Sequence, residues 1–110
     1  MKKLTQKYIY NATVERITDG DSIVLNIDHG FKIYSKQIIR LARINAPEVK
    51  TPEGLIAKAY LINLLPVGSI VTIQTSKTDM YGRYVGEGVF DGANLSDQIV
   101  TDGQAVYVKY

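Results

Sequence analysis

Three short stretches of this chain gather polar residues where its patterning predicts plain strands or turns: Asp19 and Asp21 in "DGDS", Arg40 to Glu48 in "RLARINAPE", and Asp79 to Arg83 in "DMYGR". Taken singly, each has an ordinary use. Asp-Gly-Asp closes hairpins, because a short carboxylate hydrogen-bonds nearby amides. A lone strand arginine is commonly a solvated surface residue, and a glutamate after Ala-Pro suits the positive end of a following helix. Taken together, they supply the parts of one reaction. Phosphodiester hydrolysis needs a hard divalent cation on oxygen ligands, a base for the attacking water, and fixed cations on the phosphoryl oxygens as negative charge grows. Asp21, Asn45 and Glu48 are candidates for the first two requirements. Arg40 and Arg83 suit the third, since a guanidinium presents a rigid fork of donors to phosphate and keeps its charge at ordinary pH.

These residues need a scaffold that brings distant segments together, and the hydrophobic periodicity describes one. Two β-rich runs, Tyr8 to Ile17 and Ser22 to Ile27, flank Asp19-Gly20, a dipeptide suited to turns with positive φ. Ile23, Leu25 and Ile27 alternate on one face of the second run. After the "DHG" turn, where the lone His29 reads as a solvated residue rather than a zinc ligand, a third run spans about Lys36 to Ile44. In it Ile39 and Leu41 share the apolar face, while Ile38, Arg40, Ala42 and Ile44 share the other. Thr51 as cap, Pro52 and Glu53 then open a helix that Pro66 and Gly68 end, with Leu55, Ala59, Ile62 and Leu65 as its expected buried stripe. "SIVTIQTS" and "RYVGEGVF" read as the fourth and fifth strands, with Gly86 and Gly88 marking a bend or close backbone approach. "ANLSDQIVTDG" reads as a short helix capped by Asn94, and "QAVYVKY" as a final strand-like piece. The class is α+β, mainly β: a five-stranded Greek-key barrel of the OB type, with a helix between strands 3 and 4 and a short C-terminal helix.

Composition narrows the classes. At 110 residues and 45% hydrophobic, the chain suits one domain, taken as residues 1–110. The balance of 13 basic to 11 acidic residues, net +2, permits a polyanionic partner without requiring one. Absence of cysteine excludes a disulfide framework and thiolate metal sites. "MKKLTQKYIYNATVERI" has no apolar signal region and no later stretch suits a bilayer span, so the expectation is a monomer without a membrane partner. A cytoplasmic protein and the mature form of a secreted one fit equally.

With "DGDS", "IRLARINAPE" and "DMYGR" in this order around an intervening helix, the chain resembles the staphylococcal-nuclease-like (thermonuclease) family over roughly residues 8 to 110. The resemblance implies an OB-fold barrel and a calcium-dependent nuclease acting on DNA and RNA that leaves 3′-phosphate ends. Asp21 matches the family's calcium-ligating aspartate, and Asp19 an acidic residue acting on the metal's water shell. Arg40 and Arg83 match the two catalytic arginines, Glu48 the general base, and Tyr81 a tyrosine that hydrogen-bonds a terminal phosphate. Tyr107 and Tyr110 correspond to closing tyrosines that stack on a base. Two positions depart from the pattern. Asn45 stands where the family has its second metal-ligating aspartate, and Ala46 where a threonine ligates through its backbone carbonyl. The carbonyl survives the change of side chain, whereas Asn45 leaves a neutral amide oxygen, which can still bind calcium but with less charge. The loop "VKTPEG" is shorter than in the best-known member, and without a third helix after Tyr110 the expectation is some cost in stability or a partner over that surface. Asn45 gives weight to an alternative from another class, a non-catalytic OB-fold module that binds single-stranded nucleic acid or a protein.

Overall fold

A computed structural model describes residues 8–78 and 82–108. In chain order the elements are β1 (Ile9–Asp19), β2 (Ser22–Asp28), β3 (Tyr34–Leu41), a short β4 (Ile44–Asn45), α1 (Pro52–Leu64), β5 (Ile70–Thr78), β6 (Tyr84–Phe90), a short β7 (Ala93–Asn94), α2 (Leu95–Thr101) and a short β8 (Val106–Tyr107). Antiparallel neighbours run β3-β2-β1-β5-β6, and a parallel pairing of β3 with β6 joins the two outer members. The five long strands thus form a closed mixed barrel, the OB-type architecture expected, with α1 between the third and fourth of them.

Inward-facing Val14, Ile23, Leu25, Ile39, Leu41, Val71 and Ile73 fill the barrel and are almost wholly shielded from water. α1 caps one side with Ala57 and Leu61, and Leu65 just beyond its end, while α2 adds Leu95 and Ile99. Glycines permit the tight packing of β6: a Cβ at Gly86 would lie 3.0 Å from Ile73 Cδ1, and one at Gly88 only 2.8 Å from Leu95 Cδ1.

Three local expectations are corrected. Thr51 caps α1 as anticipated, its Oγ1 accepting from Gly54 N at 3.0 Å, but the buried stripe is Gly54, Ala57, Leu61 and Leu65. Leu55, Ala59 and Ile62 face outward, and the inward side of the first turns is taken by Gly54, where a Cβ would lie 1.7 Å from the Glu48 carbonyl oxygen, and by Ala57. The third strand ends at Leu41, since Ala42 and Arg43 form a turn in which Arg43 takes φ 69°. That turn breaks the alternation, so Ile44 enters the core instead of sharing the outer face with Arg40. Finally, the hairpin at Asp19-Gly20 forms without a positive φ at Gly20. Glycine is needed there for space: a Cβ would lie 2.8 Å from Ala57 Cβ and 2.9 Å from Ala46 Cβ.

Candidate active site

The crowding at Gly20 is what assembles the polar cluster. It lets the β1–β2 turn lie under both α1 and the segment after β4, so that the next residue, Asp21, reaches across to that segment. Asp21 is 6% exposed, and its Oδ2 accepts from the backbone N–H of Ala46 at 2.8 Å. The same oxygen lies 3.1 Å from Arg40 Nη1, while Oδ1 accepts from Ser22 Oγ at 3.2 Å. The backbone carbonyl of Asp21 accepts from Leu41 N at 2.8 Å, which pins the turn to the end of β3. Charge-assisted bonds of this kind, shielded from water, make Asp21 the clamp between segments far apart in sequence.

Arg40, its side chain 11% exposed, also donates Nη2 to Asn45 Oδ1 at 3.2 Å and Nη1 to its neighbour's carbonyl at 3.3 Å. Arg83 enters from the start of β6 and donates to Ser22 Oγ at 3.3 Å. Asp19 Oδ1 accepts from Asp21 N at 3.3 Å. Burial pushes the Asp21 carboxyl up to about 6, reinforced by its hydrogen bond with Asp19 and only partly offset by Ala46 N–H and Arg40. Burial also acts to raise Asp19, but hydrogen bonds with Asp21 and Ser22, together with the charge of Arg83, outweigh it and hold Asp19 below the usual carboxylate value. Two carboxylates this close divide in the usual way, one giving up its proton readily and the other keeping it.

Six of the expected site residues therefore converge: Asp19, Asp21, Arg40, Asn45, Ala46 and, through Ser22, Arg83. Glu48 lies three residues beyond Asn45 with an exposed side chain that makes no hydrogen bond or ion pair among the described residues. Its backbone is held firmly, because its carbonyl accepts from Thr51 N at 2.9 Å and Thr51 Oγ1 at 2.7 Å. Gly54 makes room for that carbonyl, which a Cβ would approach to 1.7 Å. A cleft of about 460 Å³ opens beside Asn45, Ala46 and Pro47, walled by Glu53 and Ile56 of α1 and by residues 103–106. Tyr81 and Tyr110 lie outside the described residues.

Tyr107 belongs to a separate network built on Arg43. The Arg43 guanidinium forks onto Glu87 at 2.6 and 3.2 Å, reaches Asp97 Oδ1 at 2.9 Å and Asn94 Oδ1 at 3.2 Å, and lies 5.8 Å from the Tyr107 ring centre. The Tyr107 hydroxyl donates to Asp97 Oδ1 at 2.7 Å. Ile44 pairs with Tyr107 and Asn45 with Val106, so this network fixes the short strand that carries Asn45. Sequence reasoning missed Arg43 and Ser22. No periodicity marks a left-handed arginine, and Ser22, on the face opposite Ile23, Leu25 and Ile27, is buried against its phase; the one sequence signal for it is its place beside two aspartates in "DGDS".

Among the described residues no three His, Cys, Asp or Glu side chains converge as a metal-holding group. The oxygens that do gather are two carboxylates and one amide, hard donors that fit calcium better than a transition metal. A cation there would share Asp21 and Asn45 with Arg40, and it would relieve the burial that now disfavours the charged form of Asp21.

Comparison with known proteins places the chain among relatives. The chain is 31% identical over 100 residues to "Probable staphylococcal-like nuclease CAN2" of Oryza sativa subsp. japonica, covering 82% of this chain and 27% of that protein. "Probable staphylococcal-like nuclease CAN3" of the same plant is likewise 31% identical over 100 residues, with 82% of this chain and 26% of that protein covered. An "Uncharacterized 38.1 kDa protein" of Capnoides sempervirens is 30% identical over 116 residues, covering 96% of this chain and 34% of that protein. The chain thus spans about a quarter to a third of the length of these curated relatives. Residues 38–110, a stretch that holds Arg40, Asn45, Ala46, Glu48 and Arg83, match the family described as "Staphylococcal nuclease homologue", and the chain belongs to that family.

Proposed function

We propose that this chain is a calcium-dependent nuclease, hydrolysing phosphodiester bonds of DNA or RNA to leave 3′-phosphate ends. The observation that carries the reading is the Asp21 clamp, which draws Arg40, Asn45, Ala46 and, through Ser22, Arg83 to one end of the barrel. Asp21, Asn45 and the backbone carbonyl of Ala46 would hold a calcium ion, with Asp19 on its water shell. When bound, the ion supplies charge neutralisation at the attacked phosphate. The exposed Glu48 accepts a proton from the attacking water. The water oxygen forms the new bond to phosphorus as the bond to the 5′ oxygen breaks, and that oxygen takes a proton from solvent water as it leaves. Arg40 and Arg83 hold the phosphoryl oxygens as their charge grows, Arg40 exchanging its contact with Asp21 for one with phosphate. One copy of the barrel contains every residue named, so the reading is of a monomer.

Asn45 and the placement of Arg40 between Asn45 and Asp21 favour a second reading, a module that binds nucleic acid or a protein without cutting. Incubation with single-stranded DNA and with RNA, in calcium or in chelator, separates the two. Calcium-dependent products ending in 3′-phosphate support the nuclease. Intact substrate at millimolar calcium supports the binding module.

A further inference from the structure

The turn between β2 and β3 carries the side chain that the fold explains least. Gly30, Phe31 and Lys32 follow one another at φ 80°, 56° and 61°, and Ile33 N donates to Gly30 O at 2.9 Å across the tip. His29 N donates to Ile33 O at 2.8 Å and Gly30 N to the Asp28 carboxylate at 2.8 Å, so the turn is closed by local hydrogen bonds. Positive φ at both central residues suits Asn-Gly or Gly-Gly, whereas a bulky aromatic there is strained. Phe31 gains almost nothing inside the chain in return, since it is 97% exposed. A ring that strains its own backbone and lies in water finds its contact outside the chain.

Its neighbours complete a wedge. Ile33 and Tyr34 are 60% and 57% exposed, Lys32 stands beside Phe31, and Lys36, its side chain 70% exposed, follows on β3. Of the nearby carboxylates, Asp28 is engaged by Gly30 N, and Glu15 lies 3.9 Å from Lys36, a loose exposed pair. An apolar apex with a tyrosine and two lysines on its shoulders suits the headgroup layer of a bilayer: the apolar groups leave water, and the lysine stems lie along them with their ammonium groups among lipid phosphates. A flat protein surface would meet this convex tip only at Phe31, whereas lipid closes around it.

We propose that the β2–β3 tip is a membrane-surface contact, with Phe31 and Ile33 entering one leaflet of an anionic bilayer, Lys32 and Lys36 on its headgroups and Tyr34 at the boundary. The closed hydrogen bonds of the turn lower the cost of entry. No helix among the described residues is long and apolar enough to cross a bilayer, and a contact of this depth needs none. The candidate active site lies at the other end of β3, about 20 Å from Tyr34 at Arg40, so the contact is separate from it and does not rest on the nuclease reading.

The chain has no tryptophan, so Phe31→Trp provides a single reporter. The intact variant is mixed with vesicles of phosphatidylcholine alone and of phosphatidylcholine with phosphatidylserine, with and without brominated acyl chains, and the native protein is co-sedimented with the same vesicles. The expected result is a blue shift and bromine quenching on the vesicles that contain phosphatidylserine and neither on phosphatidylcholine alone. Phe31→Gly should weaken co-sedimentation at least about 10-fold. Because glycine accepts positive φ, the urea midpoint of that variant should equal or exceed the native one. Lys32→Gln and Lys36→Gln should each weaken binding about 5-fold at low salt. No blue shift on either vesicle, native-like binding by Phe31→Gly, or equal binding to both lipid mixtures would overturn the contact. So would a lower urea midpoint for Phe31→Gly, which would show that the ring supports the fold.

Discussion

At a single position, Asn45, a neutral amide stands where the family resemblance implies a carboxylate, and its Oδ1 takes a hydrogen bond from Arg40, which also pairs with Asp21. Restoring the negative charge by Asn45→Asp should tighten calcium binding by about 10- to 1,000-fold, measured by titration calorimetry. An unchanged affinity would show that Asn45 is not a ligand. Asp21 adds a pH dependence whose sign follows from its surroundings. Its folded value of about 6 exceeds the ordinary 3.8, so the folded state holds this proton more tightly than the unfolded chain does. The stabilising contribution is complete below pH ~4 and is lost as pH rises to ~6. Asp19, held below its usual value, acts in the opposite sense, and its contribution is lost only as pH falls below ~4. Urea denaturation in chelator should therefore show stability falling between pH ~4 and ~6, and an Asp21→Asn variant should lose that slope.

At the scale of elements, the site depends on small residues that let α1, the β1–β2 turn and the Glu48 segment approach one another. Gly54→Ala would drive a methyl group to 1.7 Å from the Glu48 carbonyl oxygen, displacing either α1 or the loop that carries Glu48. The expected cost is about 1–3 kcal/mol, read from the urea midpoint, with a parallel drop in cleavage. Full stability would mean that the loop relaxes freely. The five barrel strands and both helices were legible because alternation and the capping residues Thr51 and Asn94 are local signals. The motif residues that converge were legible too, through the order of "DGDS", "RLARINAPE" and "DMYGR". The outward turn of Leu55 and Ile62 was not, because hydrophobic periodicity cannot tell that Gly54 and Ala57 are needed where space is tightest. The break after Leu41 was hidden for a related reason. Arg43 accepts a left-handed backbone, and its side chain is gripped by Glu87, Asn94 and Asp97, partners more than forty residues away in sequence.

For the whole molecule, folding and site formation are one event: turn 19–22, segment 40–48 and the start of β6 meet only when the barrel closes through its β3–β6 pairing. A ligand bound by all of them stabilises the fold by mass action. The central claim is that these convergent residues form a hydrolytic site in which Glu48 is the base, and the direct measurement is the single-turnover rate of single-stranded DNA cleavage at saturating calcium for the native protein and Glu48→Gln. The account predicts a rate at least about 100-fold lower in the variant, with the calcium affinity changed less than about twofold. Equal rates in the two proteins, or no cleavage by either, would contradict it.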